Sequence, residues 1–397
     1  MPKRLPGRRA ALVGVLAAAL TTMGVSRCGG SGATTVTVTG KTLTIYASAP
    51  RNVAGPLASD VVDAERLALS QQASKVSGFT IRFVVLHAKP STNARTTIQD
   101  KSAIAYLGEL EPGISAGTIG ITNAQDLLQV SPTDTALELS QPTPAVPGAP
   151  DDYLEAKSTY GKTFARVVPS SGPEAKAQVA MMGSLSVKKL YVTSDESPYG
   201  KAIAYAVRKD ASGAGISVAT GPPTAGAFSS SGSDALFYGA SADGAGAAGR
   251  LFGNVAQGSA HAVKLFAPSA LATPSFASSF GPAKLNLYVS QPGFLTKQLP
   301  ALAKSQFVKP FQSRYGHAPS TEAIFGYEAM AAVLATLHKA GGGANNRTTV
   351  VHDFFAIRNR QSVLGTYSID SVGDPSIAPF VFSRFKGGAL VPWRAAP

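Results

Sequence analysis

The chain has very little cysteine: one residue, Cys28, in 397. A single cysteine excludes an internal disulfide, so stability must come from packed cores. Histidine is sparse as well. His87, His261, His317, His338 and His352 are spread along the chain and form no metal-ligand spacing. Enzyme signatures are missing: there is no G-x-S-x-G elbow, no H-E-x-x-H and no cysteine nucleophile within the fold. Ser186-Val187-Lys188-Lys189 satisfies S-x-x-K but lacks its companion motifs. No fixed-period repeat is visible. Charged residues make up only 15% of the chain, against 44% hydrophobic. That is the composition of a soluble globular protein long enough for two packed domains.

The charge that is present is mainly positive, at +13. Five of the 36 basic residues lie in residues 1–27, with no acid among them, which leaves 31 basic against 23 acidic residues, or +8. The remaining basic residues are scattered and no recognition motif accompanies them, so nucleic acid is not expected as a partner. A basic surface suits anionic cell-wall or lipid groups, or is simply solvated.

The N-terminus reads as a targeting segment. Met1–Arg9 is a positive stretch and Ala10–Leu20 an apolar one, too short to span a bilayer. Cys28 follows in VSRCGG. The order resembles a bacterial lipoprotein signal, which implies removal of residues 1–27 and acylation of Cys28. Arg27 stands where such signals carry a small residue. The other reading is an ordinary cleaved signal with an incidental cysteine. Residues 28–40, rich in Gly, Ser and Thr, read as a flexible tether.

From Lys41 onward, apolar strand-length runs alternate with helical patterns. Strands are expected at Leu43–Ala47, Phe79–Leu86, Ile104–Leu107 and Leu127–Val130. Helices are expected through Val61–Ala73, capped by Asp60, and over Ile114–Asn123. Ser140–Asp151, with four prolines, reads as a long surface loop. A second alternation runs from Ala175 to Phe266. Helices over Pro300–Tyr315 and Thr321–Ala340 follow, and strands at Val363–Ile369 and Phe380–Phe385 end the series. The alternation predicts an α/β protein with parallel sheets covered on both faces.

The stretch Ile324–Pro375 carries the clearest family resemblance. It reads IFGYEAMAAVLATLHKAGG, then TTVVHDFFAIRNRQSVLGTYSIDSVGDP. This succession resembles the C-terminal part of type I periplasmic binding proteins of the leucine/isoleucine/valine-binding kind. The resemblance implies a two-lobed fold, each lobe a mostly parallel sheet flanked by helices, joined by three crossover strands. It implies a first lobe from 41–165 and 290–363, and a second from 166–289 and 364–397. The crossings are expected near Phe164–Val168, Leu287–Gln291 and Leu364–Ser368.

In such folds ligands bind beyond the carboxyl ends of the strands. By resemblance, Ser131, Thr133 and Thr135 of the SPTDT loop offer amides and hydroxyls to a ligand, although Ser, Thr and Asp also favour simple turns. Tyr199 of DESPYGK is implied to face the ligand, with rim packing as its other role. Where the family's partner loop is Ser/Thr-rich, this chain has GELEPG, placing Glu109 and Glu111 near the ligand or pointing them to solvent. Ser241 stands where the family has an aromatic contact, and Ser269 where it has the glutamate that holds an amino group. Asp243 is the one nearby acid that could supply a replacement charge. The resemblance implies capture of a small polar molecule by a monomer and delivery to an ABC-type permease, without enzymatic chemistry or cofactor. The alternative is a ligand-sensing or partner-binding surface lipoprotein of the same fold.

Overall fold

The computed structural model describes residues 36–53, 57–72, 75–154, 161–258, 263–280 and 285–397. The signal segment and Cys28 lie outside them.

Two sheets organise the chain. The first holds β1 (Thr42–Ser48), β2 (Lys75–Val76), β3 (Phe79–Leu86), β4 (Ala103–Leu107), β5 (Leu128–Ser131) and β6 (Phe164–Arg166). Their order is β2-β3-β1-β4-β5-β6, and every pair is parallel except β2 with β3. The second holds β7 (Lys189–Ser194), β8 (Ser217–Thr220), β9 (Ala235–Gly239), β10 (Lys264–Ala267), β11 (Asn286–Pro292), β14 (Phe380–Lys386) and β15 (Ala389–Ala395). Its order is β15-β14-β11-β10-β9-β7-β8, parallel throughout except for the antiparallel pairs β11 with β14 and β14 with β15. The central strands are buried on both faces, as in AIAYL of β4 and ALFYG of β9. That is why they read as continuous apolar runs rather than alternating ones.

Between them, β12 (Arg360–Ser362) and β13 (Gly365–Tyr367) form a small hairpin. The expected single strand Val363–Ile369 is therefore the turn and second arm of this hairpin. Val363, Leu364, Tyr367 and Ile369 pack in the core of the first sheet, while Phe380 and Phe382 pack in that of the second. The chain passes between the cores three times: after β6, after β11, and between Ile369 and Phe380. We assign the two lobes by these passages.

The helix Leu57–Gln71 lies against the helix Ala323–Ala340 on the first sheet. The contact is close because Gly326 has no side chain; a Cβ there would come within 2.6 Å of the Val61 carbonyl. Asp60 is not the cap expected of it. The helix starts at Leu57, and Asp60 is buried in its first turn, accepting the Ser320 amide at 2.8 Å. The expected helix Ile114–Asn123 is split into a 3-10 turn, Ile114–Gly117, and an α turn, Ile119–Asn123. Pro300–Tyr315 carries a π-helical stretch, Ala303–Val308, before Lys309–Tyr315. Ser140–Asp151 is pinned at its start: the Ser140 hydroxyl is buried between Arg166 and Asp374. Among the described residues no helix is long and apolar enough to cross a membrane.

Candidate functional site

The carboxyl ends of β4 and β5 carry two loops that are stitched together. Asp134 is buried and accepts the Gly113 amide at 2.7 Å and the Ser115 amide at 2.9 Å. Ser131 Oγ donates to the Glu109 carbonyl at 2.7 Å and accepts the Asp134 amide. Thr133 Oγ1 donates to the Leu110 carbonyl at 2.6 Å. The SPTDT motif thus spends two hydroxyls and its aspartate on holding the GELEPG loop in shape. This is the turn chemistry its composition favours.

Glu109 does not face the crevice. It is 1% exposed and lies inside the first lobe, accepting Ser48 Oγ at 2.6 Å and the Tyr106 hydroxyl at 2.5 Å. Burial pushes its pKa up to about 7, against the lowering effect of those two donors. Glu111 behaves differently. It is half-buried and lines the crevice, and its pKa is raised by burial, then by Asp243 and Asp134.

On the second lobe the helix Pro198–Gly213 begins with Ser197 Oγ accepting the Gly200 amide. This places Tyr199 on the first turn, where it is buried. Its hydroxyl shares a hydrogen bond with Ser269 Oγ at 3.3 Å. Ser269 is the meeting point of the lobes. Its amide and hydroxyl donate to Glu174 at 2.6 and 3.0 Å, and its hydroxyl pairs with Thr135 Oγ1 of the first lobe at 3.2 Å. Glu174 is fully buried in the helix Ser171–Ser184 and also accepts Ser290 Oγ at 2.6 Å. Burial raises its pKa to about 7, and its hydrogen bonds oppose the rise.

Ser241 is turned away from the crevice. Its amide and hydroxyl donate to Asp195 at 2.8 and 2.9 Å, fixing the loop after β9. Asp243 is exposed on a short 3-10 turn, near enough to Glu111 to raise that group's pKa.

Glu322, immediately before the helix Ala323–Ala340, is a crevice residue that sequence reading missed. No hydrogen-bond donor among the described residues meets its carboxylate. Burial, then Glu174, raises its pKa to about 8. Glu174 and Asp134 were missed as well. Asp134 sits within the singled-out SPTDT motif and was legible as a turn-forming aspartate. Glu174 carries no sequence signal beyond an acid in a helix's first turn.

Two adjoining cavities lie between the lobes. The larger, about 350 Å³, runs from Leu57 and Ser320–Glu322 on one side to Ala272–Pro274 and Gly388–Leu390 on the other. The smaller, about 40 Å³, reaches Glu111, Thr133, Thr135 and Ser269, and shares Glu322 with the larger. Of the nine ligand-site residues expected from sequence, the structure gathers Glu111, Thr133, Thr135 and Ser269 around this cavity, with Tyr199 behind Ser269. Glu109, Ser131 and Ser241 serve the loop framework instead. Among the described residues no group of His, Cys, Asp or Glu is arranged to hold a metal ion.

Solved structures share this architecture. A leucine-binding protein of Thermotoga maritima superposes with a TM-score of 0.71 at 19% identity, over 89% of this chain and 98% of that one. A solute-binding protein of an ABC transporter from R. palustris, in complex with benzoate, gives 0.67 at 18%, over 89% and 96%. A branched-chain amino acid transporter substrate-binding protein of Streptococcus pneumoniae, in complex with isoleucine, gives 0.67 at 17%, over 89% and 100%. At these identities the likeness is one of fold. No curated protein sequence matches the chain. The sequence pattern of the periplasmic binding protein family matches residues 52–385, most of the chain. The two sheets, the three passages and this match agree: the chain belongs to the periplasmic binding protein family.

Proposed function

We infer that the protein is an extracytoplasmic solute-binding protein. It captures a small ligand between its lobes and presents it to an ABC-type permease, performing no chemistry on it. One observation carries this reading: a cavity of ligand size walled by both lobes, next to a direct hydrogen bond between them, Thr135 to Ser269. Closure by hinge motion about the three passages follows from such a construction. The relatives bound to isoleucine and benzoate support it by analogy of fold.

Small-angle scattering tests the reading. A ligand identified by mass spectrometry of the purified protein should compact the particle when added to stripped protein. An unchanged profile with a ligand bound would remove the clamp and favour a partner-binding surface protein.

Export and anchoring complete the reading. Residues 1–27 are removed and Cys28 is acylated, holding the protein to the membrane as a monomer. Mass spectrometry of the membrane fraction should find no chain starting at Met1 and a lipid-modified Cys28; an unmodified cysteine there refutes the anchor.

A further inference from the structure

Among the described residues the crevice lining is acidic, with no protein cation to balance it. Glu322 lines both cavities and Glu111 the smaller, and no Lys, Arg or His lines either. Glu174 stands close enough to Glu322 to raise its pKa further. On the same wall of the larger cavity, the buried hydroxyl of Ser320 has no hydrogen-bond partner. The rest of the lining is largely apolar, with Leu57, Ala272, Pro274, Leu390 and Pro392.

These features dictate what fits. A ligand carboxylate would meet two carboxylates and no counter-ion, and like charges in a half-buried site repel strongly. An ammonium would offset the Glu174 charge beside Glu322 and give Glu322 the donor it lacks. Its three N–H groups need several acceptors; Glu322, common to both cavities, supplies one, with Glu111 on the side of the smaller cavity and the Ser320 hydroxyl on the side of the larger. An apolar body would cover the alkyl side of the cavity. The serine at position 269 removes the glutamate that the family resemblance places on the second lobe, and both lining glutamates belong to the first lobe instead.

We propose that the interlobe crevice takes a small organic cation, an amine with an apolar body and no carboxylate, with its ammonium held by Glu322 and Glu111. The proposal rests on the ligand-capture reading above and names the ligand class for that site.

The test uses three matched probes: 3-methylbutan-1-amine, 4-methylpentanoate and leucine, which are the amine, the acid and the zwitterion on one branched body. Isothermal titration at pH 8 should show that the amine binds and that the acid does not. Leucine should bind at least about tenfold more weakly than the amine, the effect of one unmatched charged hydrogen bond. Glu322→Gln should weaken the amine by about tenfold or more. Glu111→Gln, at a half-exposed loop position, should weaken it less and guards against loss of folding in the first variant. If the acid or leucine binds at least as tightly as the amine, the cation assignment falls while ligand capture stands. If the amine shows no heat at millimolar concentration, or binds equally to both variants and wild type, the assignment also falls. Scattering on whichever probe binds then judges the clamp separately.

Discussion

The first lobe's remote side and the crevice handle buried charge in opposite ways. Away from the cavities, the buried arginines have matched partners, although buried Glu65 keeps one carboxylate oxygen without a donor. Arg166, wholly buried, donates to Asp374 at 2.8 Å, to the carbonyls of Asp134 and Ala136, and to Ser140 Oγ. Arg360 donates to Glu328 at 2.6 Å, and the Tyr367 hydroxyl joins them at 2.8 Å. Arg347 is spent on the carbonyls of Ala103 and Gln125. In the crevice and the loops and helix behind it, Glu174 and Glu109 have only neutral donors, Glu322 has none, and both oxygens of buried Glu138 are unpartnered. Paired charges hold the frame, and unpaired carboxylates collect where the lobes meet. That difference separates residues kept for stability from residues available to a ligand or a proton.

Breaking the paired side should give the largest effect. Arg166→Ala leaves Asp374 buried without its cation and frees two carbonyls, so a loss of about 3–5 kcal/mol is expected. Asp374→Asn keeps hydrogen-bonding capacity and should cost less. Urea denaturation of the two variants checks the order; equal and small losses would dissolve the contrast.

The unpaired side should show itself through pH. Glu109, Glu138 and Glu174 have folded-state pKa values raised to about 7, and Glu322 to about 8. A raised carboxylate binds its proton more tightly in the folded state. Its stabilising contribution is therefore full below its unfolded pKa, near 4.5, and is lost as pH rises through 7 to 8. Thermal stability should fall between pH 5 and pH 8. Glu138 faces Asp134, Tyr153 and Arg166. Its replacement by Gln should stabilise the protein at pH 8 by on the order of 1–3 kcal/mol and flatten the profile. Melting curves that rise towards pH 8, or a Glu138→Gln variant with the wild-type slope, would contradict this.

The smallest effect sharpens the comparison at the boundary itself. Thr135→Val removes one neutral hydrogen bond between the lobes, worth about 0.5–1.5 kcal/mol. Global stability should barely move, while scattering should report a larger mean radius without ligand. Ser269→Ala should cost more, because it also deletes the hydroxyl's bonds to Glu174 and Tyr199.

The sequence revealed the scaffold more readily than the site. Parallel strands buried on both faces leave long apolar runs, so β1, β3, β4 and β5 were legible within about a residue or two. Helix Ala323–Ala340 was equally plain from its apolar content and its glycine stop. The crevice was harder because its loops look alike whether they serve the ligand or the frame. Ser131, Thr133 and Ser241 have the residue types of a ligand loop but tie neighbouring loops together. Glu109 and Glu111 stand two residues apart in one loop, and only the packing of Ser48 and Tyr106 turns Glu109 inward while Glu111 lines the crevice. Glu174 and Glu322 come from distant parts of the chain and meet only after both lobes have formed.

Three passages between the cores form an odd number, and parity follows from it. Val38, near the first described residue, packs in the first core, and Ala396, beside the last, packs against the second. The two ends of the described chain therefore ride on opposite jaws. A donor dye on Thr39→Cys and an acceptor on Lys386→Cys, both exposed positions, would sit on separate bodies. Energy transfer between them would read the opening angle directly, one molecule at a time, with no probe inside the crevice.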